Sequence, residues 1–268
     1  MSNQDFFPRR IVCLTEEPTE TLYLLGEEDR IVGISGFTMR PRKARKEKPK
    51  VSAFTSAKID EILALNPDLV IGFSDIQADI AKTLIEKGIT VWINNHRSVD
   101  DIFKMIVQLG NLVGKGDAAI QLVNQMKATI KGIQENATST LPKPKIYFEE
   151  WYDPLISGIR WVSEIIELAG GEDIFSEFQS TSLAKDRIIA NPQEVVQQNP
   201  DIILASWCGK MFKKDKLVNR PNWNTINAVK TDSIYEIKSE IILQPGPASV
   251  TEGVKIIAEI IENWKRSL

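Results

Sequence analysis

The chain has 268 residues, 43% of them hydrophobic and 26% charged, with a formal net charge of −3, the composition of an ordinary globular protein with one large or two modest domains. That charge excludes a global pull toward nucleic acid or an anionic membrane, and two cysteines exclude a disulfide framework, a single Cys13–Cys208 bridge staying open. No segment reaches the roughly 20 apolar residues that span a bilayer.

The opening, MSNQDFFPRRIVCLTEEP, shows neither a long apolar run nor a small-residue cleavage site. A cytoplasmic location is expected if Met1 is the natural start, and a periplasmic or cell-surface one if a signal sequence has been removed. Arg10 to Leu14 reads as a short strand, and Thr19 to Leu25 as a helix that begins near Pro18 and stops at Gly26. Ile31 to Ile34 is the next strand. After a loop carrying Phe37 and Arg40, residues Arg42 to Lys50 hold six lysines or arginines in nine positions. No aromatic is interleaved, and Glu47 and Pro49 interrupt the charges, so the run reads as a solvated loop and not as a nucleic-acid contact.

One pattern occurs twice. Lys58 to Asp75 reads KIDEILALNPDLVIGFSD, and 133 positions later Asn191 to Cys208 reads NPQEVVQQNPDIILASWC. In each, an amphipathic helical turn runs into Asn-Pro-Asp, the residue before proline is pushed out of the helical region, and a short β-branched run follows. Ligands of open α/β sheets sit beyond the carboxyl ends of the strands. The loops that follow, with Phe73, Ser74, Asp75 and Gln77 in one copy and Ser206, Trp207, Cys208 and Lys210 in the other, are therefore the first candidates for function.

Between the copies come a helix from Ile76 to Lys87, a strand from Thr90 to Ile93 and the loop Asn94 to Arg97. His96, the one histidine, is expected as a polar loop residue, because a lone histidine makes no metal site. From Ser98 to about Asn136 the texture is helical, with Ala119, Leu122, Val123, Met126, Ile130 and Ile133 on one stripe. It breaks near Gly114 to Gly116 and ends at Pro142 and Pro144. The second half restarts with a strand from Lys145 to Phe148, a loop from Glu149 to Pro154, and a helix from Val162 to Ala169.

Here ETLYLLGEED at Glu20 to Asp29 resembles EIIELAGGED at Glu164 to Asp173. Two matches in the same order indicate two lobes of related topology. The loop Ser180 to Arg187, the second copy, a loop at Arg220 to Trp223, a strand from Ser233 to Ile237 and a final helix from Val250 to Trp264 complete the chain. Alternating strands and helices indicate α/β lobes with mainly parallel sheets. The expected division is an N-terminal lobe over 1–97, a connecting helix over 98–143 and a C-terminal lobe over 144–268.

The succession RIV, E-TLYLLG, VGIS, KIDEILALNPDLVIG and GI-VW, followed in the second half by E-I-ELAGGEDIF and the Asn-Pro-Asp strand, resembles the class III periplasmic binding proteins. These carry cobalamin and iron-chelate substrates for ABC importers, and the likeness, greatest to the cobalamin-binding branch, covers nearly the whole chain. The resemblance implies two α/β lobes joined by a single long helix, with a ligand cleft between them whose closure that helix limits. It implies a small-molecule ligand, with cobalamin a ligand and not a resident cofactor, and an ABC permease as partner. Neither nucleic-acid binding nor membrane insertion is expected. In the family one acidic residue on each lobe meets permease arginines; by position these are Asp60 and Gln193, with Glu194 adjacent. Gln193 lacks the charge. Phe54 stands at or beside the place where the cobalamin branch carries a tryptophan.

The candidate ligand contacts are Phe37, Arg40, Phe54, Ser74, Asp75 and Gln77 in the first half, and Glu149, Glu150, Trp151, Arg160, Trp161, Asp186, Arg187, Trp207 and Cys208 in the second. Aromatic walls with both signs of charge suit a polar ligand bound by charge-assisted hydrogen bonds. The opposing expectation is that half of the charges pair with one another across the lobes and merely hold the cleft closed. Glu149 and Glu150 are adjacent, so on a strand they point to opposite faces and only one enters a cleft. No Gly-rich phosphate loop, zinc pattern or nucleophile elbow is present, and no catalytic or metal-binding residue is assigned. The function expected is binding; the alternative is a cytoplasmic enzyme or sensor that reuses the fold for a smaller polar metabolite.

Overall fold

The computed structural model describes residues 6–137, 143–181 and 183–268, so the expected stop at Pro142 lies outside the described residues. The chain divides into two compact units. One comprises Met1–His96, Asp100–Gln125 and Pro245–Pro247; the other comprises Arg97–Val99, Met126–Gln244 and Ala248–Leu268.

The first unit is built on five parallel strands, β1 (Ile11–Cys13), β2 (Ile31–Ser35), β3 (Lys50–Ser52), β4 (Leu69–Phe73) and β5 (Val91–Asn94), in the order β3-β2-β1-β4-β5. β1 and β4 are buried throughout, which is why they read as unbroken apolar runs and not as alternating ones. The connecting helices are α1 (Glu16–Leu24), α2 (Arg42–Glu47), α3 (Ile59–Ala64) and α4 (Ala78–Glu86).

The basic run is not a solvated loop. It forms α2, with Pro41 at its entry and Ala44 buried, and Arg45 Nη1 donates to Gly36 O at 2.5 Å and Thr38 O at 3.3 Å. One cation is thereby tied to backbone of the preceding loop. The helical middle of the chain folds as α5 (Val99–Leu112) and α6 (Gly116–Ala137). The break falls at Gly114, and Ala119, Val123, Met126 and Ile130 are buried as the stripe predicts.

In the second unit the strands are β6 (Lys145–Tyr152), β7 (Leu155–Ser157), β8 (Glu172–Asp173), β9 (Ile202–Ala205) and β10 (Ile234–Glu236). Their order is β10-β9-β6-β7, with β8 also on β6, and only β7 is antiparallel. The helices are α7 (Arg160–Leu168), α8 (Gln193–Gln198), α9 (Lys214–Val218), α10 (Asn227–Lys230), α11 (Ser239–Ile242) and α12 (Val254–Arg266). β6 continues through Glu149 to Tyr152, which the sequence presents as a loop, because β7 folds back on it and supplies the ladder partners Ser157, Ile156 and Leu155. Tyr147, Leu155, Phe175, Ile203, Leu217 and Trp223 form the core beneath.

The two units repeat one topology: β2-β1-β4-β5 in the first corresponds to β8-β6-β9-β10 in the second. α1 and α7 end alike, on Gly26 (φ 70°) and Gly170 (φ 96°), with the next amide reaching back to Leu22 O at 2.9 Å and to Ile166 O at 3.0 Å. Only glycine adopts that left-handed turn without cost. The Asn-Pro-Asp segments are equivalent in detail. Asn66 and Asn199 both take positive φ, 45° and 48°, and each aspartate fastens its strand to the central one. Asp68 accepts the amides of Arg9 and Arg10 at 2.7 and 2.9 Å and donates its own amide to Arg10 O at 3.0 Å. Asp201 accepts the amide of Lys145 at 3.0 Å and donates to Lys145 O at 2.8 Å.

Each clamp therefore holds β4 on β1, or β9 on β6, at the amino end of the sheet. Asp68→Ala and Asp201→Ala should each lower unfolding stability by about 1 kcal/mol, while the asparagine variants, which keep an acceptor oxygen, lose less. Urea denaturation of the four variants measures the difference.

Candidate functional site

At the carboxyl edge of the second unit the chemistry is organised by Glu149, whose side chain is wholly shielded from water. Its carboxylate accepts from Arg220 Nη1 at 2.5 Å and Nη2 at 3.1 Å, from Trp207 Nε1 at 3.0 Å and from the Tyr147 hydroxyl at 3.3 Å. A buried charge needs such a set of donors. Burial, with the Glu149 charge second, pushes the Tyr147 phenol well above its usual range. The neighbouring Glu150 faces the other way and takes both nitrogens of the buried Arg187, at 2.7 and 2.9 Å. Arg187 also donates to Ser157 O.

On this support stands an aromatic shelf. Tyr152 packs on Trp207 with ring centres 4.4 Å apart and on Trp151 at 5.1 Å, and Phe212 meets Trp207 edge-on at 5.0 Å. Trp151 Nε1 donates to Asp153 O at 3.0 Å. Lys210 donates to the Tyr152 hydroxyl at 3.2 Å, and that bond, assisted by the charges of Lys210 and Lys216, lowers the phenol's pKa.

The corresponding edge of the first unit is apolar. Phe37, Met39, Phe54 and Ile76 are all exposed there. Beneath them Gln77 is fully buried: its Oε1 accepts from Phe73 N at 2.9 Å, and its Nε2 donates to Phe54 O at 3.0 Å and Leu14 O at 3.4 Å. Ser74, at φ 61°, donates to Asp75 Oδ1 at 2.7 Å and accepts the amide of Ile76 at 3.3 Å. Arg40 pairs with Glu20 at 2.9 Å.

Several expected ligand contacts are already bonded within their own unit. Gln77, Glu149 and Glu150 have their polar atoms engaged there, Arg187 is bonded through both terminal nitrogens while its Nε has no partner among the described residues, and Trp161 is buried and donates to Ile242 O at 2.9 Å. Arg160 pairs with Glu164 one turn along α7 at 2.8 Å. These bonds hold the strand-end loops in shape, and of this set Arg160 stays exposed. Of the charges expected to pair across the lobes, Glu150 and Arg187 pair with each other inside the second unit, and Glu149 pairs there with Arg220, which was not in the expected set. Phe37, Phe54, Asp75, Trp151, Asp186 and Cys208 remain at least partly exposed, whereas Ser74 and Trp207 are buried at the edges of their loops. Gln193 is occupied too: its amide donates to Pro221 O at 3.2 Å and accepts from Asn222 at 3.1 Å, leaving Asp60 and Glu194 as exposed acids in the first turns of α3 and α8.

His96 lies in a loop, as expected, but is not solvated. It is buried, with Nε2 2.7 Å from Pro245 O and its ring edge-on to Phe73 at 5.0 Å. Cys13 is sealed in the sheet, where burial pushes its thiol up to about 12, and both cysteines are free thiols. The candidate set omitted Tyr152, Phe212, Lys216 and Arg220. Phe212 and the four lysines of Lys210-Met211-Phe212-Lys213-Lys214-Asp215-Lys216 are the one local signal, and it concerns Phe212 and Lys216 alone. The set also omitted Thr15, Glu16 and Glu17, whose helix-start pattern concealed that all three are buried where β1 enters α1. Thr15 Oγ1 donates to Glu17 Oε1 at 2.7 Å, and Gly246 packs so closely that a Cβ there would lie 2.7 Å from Glu17 Cβ.

A cavity of about 730 Å³ in the second unit lies elsewhere, lined by Ile133, Ala137, Ala169, Lys255 and Lys265 on α6, α7 and α12. No strand-end residue lines it, so volume alone does not mark the site.

The model of the family described as "Periplasmic binding protein" matches residues 11–241. An uncharacterised ABC transporter substrate-binding lipoprotein, YvrC of Bacillus subtilis (strain 168), is 30% identical over 97% of this chain and 83% of its own length. The vitamin B12-binding protein of Vibrio campbellii is 25% identical over 96% of this chain and 90% of its own. Among solved structures, the periplasmic heme-binding protein RhuT from Roseiflexus sp. RS-1 superimposes with a TM-score of 0.80 at 22% identity, covering 94% of this chain and 99% of that one.

Two expectations follow from the buried acids. Removing one partner of the Glu149–Arg220 pair, by Glu149→Gln or Arg220→Met, should cost roughly 3–5 kcal/mol in chemical denaturation, and the double change to leucines should cost less than either. For Glu17, burial raises the carboxyl to about 7 against a reference of 4.5. A raised folded-state value means that the folded chain binds the proton more tightly, so the stability from this group is full below pH 4.5 and is lost as pH rises through about 7. Melting temperature should accordingly fall between pH 5 and about 7.5, and Glu17→Gln should flatten that part of the profile.

Proposed function

The chain belongs to the periplasmic binding protein family, and from that membership we propose that it is the substrate-binding protein of an ABC importer, taking a corrinoid or related metal chelate at its strand-end loops. The observation that carries this reading is the shelf of Trp151, Tyr152 and Trp207 at the carboxyl ends of β6 and β9. Flat conjugated macrocycles stack well on such rings, which are large, rigid and held in place before the ligand arrives. The exposed apolar residues Phe37, Met39, Phe54 and Ile76 on the other unit suit the same class of ligand. The name of the Vibrio campbellii relative supports a corrinoid, and the Bacillus subtilis relative, a lipoprotein, supports a periplasmic or cell-surface location over the cytoplasmic one.

A permease would be met through Asp60 and Glu194. Gln193 is bonded to the Pro221–Asn222 turn, whereas Glu194, next to it, is exposed and keeps its charge. The acidic contact on the second unit is thus moved one residue along α8.

Tryptophan fluorescence and gel filtration with cyanocobalamin and hemin test the binding reading. At least one should co-migrate with the protein, and Trp151→Ala should weaken it by about 2 kcal/mol, as for a stacking anchor. Failure of both to bind would overturn the proposed ligand class. Asp60→Asn and Glu194→Gln should keep ligand affinity and lower uptake through the reconstituted permease; unchanged uptake would remove them from the docking surface.

A further inference from the structure

The segment from Lys210 to Lys216 contains four lysines and one aspartate, and the fold treats the lysines differently. Lys214 pairs with Asp232. Lys210 and Lys216 converge instead on Tyr152. The Lys210 ammonium lies 3.2 Å from the phenol oxygen, 5.4 Å from the centre of that ring and 4.9 Å from the centre of Trp151, and the Lys216 ammonium lies 4.5 Å from the Tyr152 ring centre. Neither forms a salt bridge among the described residues. The nearby carboxylates of Glu149 and Glu150 are committed to Arg220 and Arg187, while the charge of Asp153 acts on the Tyr152 phenol and forms no salt bridge with either lysine among the described residues.

A ring face attracts a cation but does not neutralise it. Two positive charges therefore stand at the rim of an aromatic surface, repelling each other across one phenol, and an anion placed between them would relieve both. A flexible ammonium is a point charge suited to a carboxylate or phosphate whose orientation is set elsewhere. Here the rings would set it. We propose that Lys210 and Lys216 form a receptor for an acidic group, carboxylate or phosphate, on a ligand whose conjugated ring system lies against Trp151 and Tyr152. This rests on the binding-protein reading and narrows it: the ligand is an acid, and the second unit holds its charged edge.

The first test needs no macrocycle. The titration of the Tyr152 phenol is followed as the absorbance difference between the wild-type chain and Tyr152→Phe, in inorganic phosphate and in chloride at equal ionic strength. Phosphate between the lysines cancels part of their field, so the midpoint should rise in phosphate, and should not rise in the double variant Lys210→Gln/Lys216→Gln. No rise in the wild type overturns the proposal.

The second test uses cyanocobalamin, which carries a phosphodiester, dicyanocobinamide, which has the same ring without it, and hemin, which carries carboxylates. The double variant should weaken the acidic ligands about tenfold and leave dicyanocobinamide within about twofold. A loss for hemin alone assigns the carboxylate, and a loss for cyanocobalamin alone assigns the phosphate. Equal loss for all three, or no loss, overturns the receptor. A phosphate effect on Tyr152 with no macrocycle bound to the wild type supports the receptor and overturns the ligand class proposed above.

Discussion

A carboxylate that closes onto a neighbouring strand's amides determines which strands lie side by side. In the first unit Asp68 grips the residues just before β1, and in the second Asp201 grips the first residue of β6. Parallel strands have no hairpin to fix their register, so the contact at the amino end adds to what the buried apolar pattern specifies. With β4 set on β1 and β9 set on β6, the opposite ends of these strands emerge next to each other, and their loops are brought to one edge. The position of Trp207 beside Tyr152 follows from that registration.

From a shared plan the units diverge by one addition. β7 folds back on β6 in the second unit, prolonging the central strand to Tyr152, and this carries Trp151 and Tyr152 out to where Trp207 packs on Tyr152 and Phe212 on Trp207. Nothing comparable extends β1, which stops at Cys13. The first unit accordingly ends in a bonded polar layer, Ser74 and Gln77, under scattered apolar side chains, whereas the second ends in a continuous aromatic surface with two lysines at its rim. Difference in strand length becomes difference in chemistry.

Much of this was legible in the residues. The two Asn-Pro-Asp segments, the glycine stops after α1 and α7, and the buried stripe of α6 are local signals that the structure bears out, because each depends on a few consecutive residues. What escaped depends on partners far apart in the chain. Glu149 and Arg220 are separated by 71 positions, and no spacing rule connects them, so the sequence offers Glu149 as a candidate contact without showing its buried partner. The basic run formed a helix because Ala44 found a core and Arg45 found carbonyls, neither of which composition reveals. Tyr152 was seen as one residue of a loop, since the strand that makes it part of a surface is created by β7.

The four bonds to Glu149 also have a consequence for rates. Trp207 is held by its indole nitrogen, and Tyr152 is stacked upon it with its carbonyl bonded to Arg220 at 3.3 Å. The freedom these rings would surrender on meeting a ligand is already lost when the chain folds. A ligand stacking there, as proposed, would leave little searching at the moment of encounter, and its arrival would be governed by diffusion and charge and its tightness by how slowly it leaves.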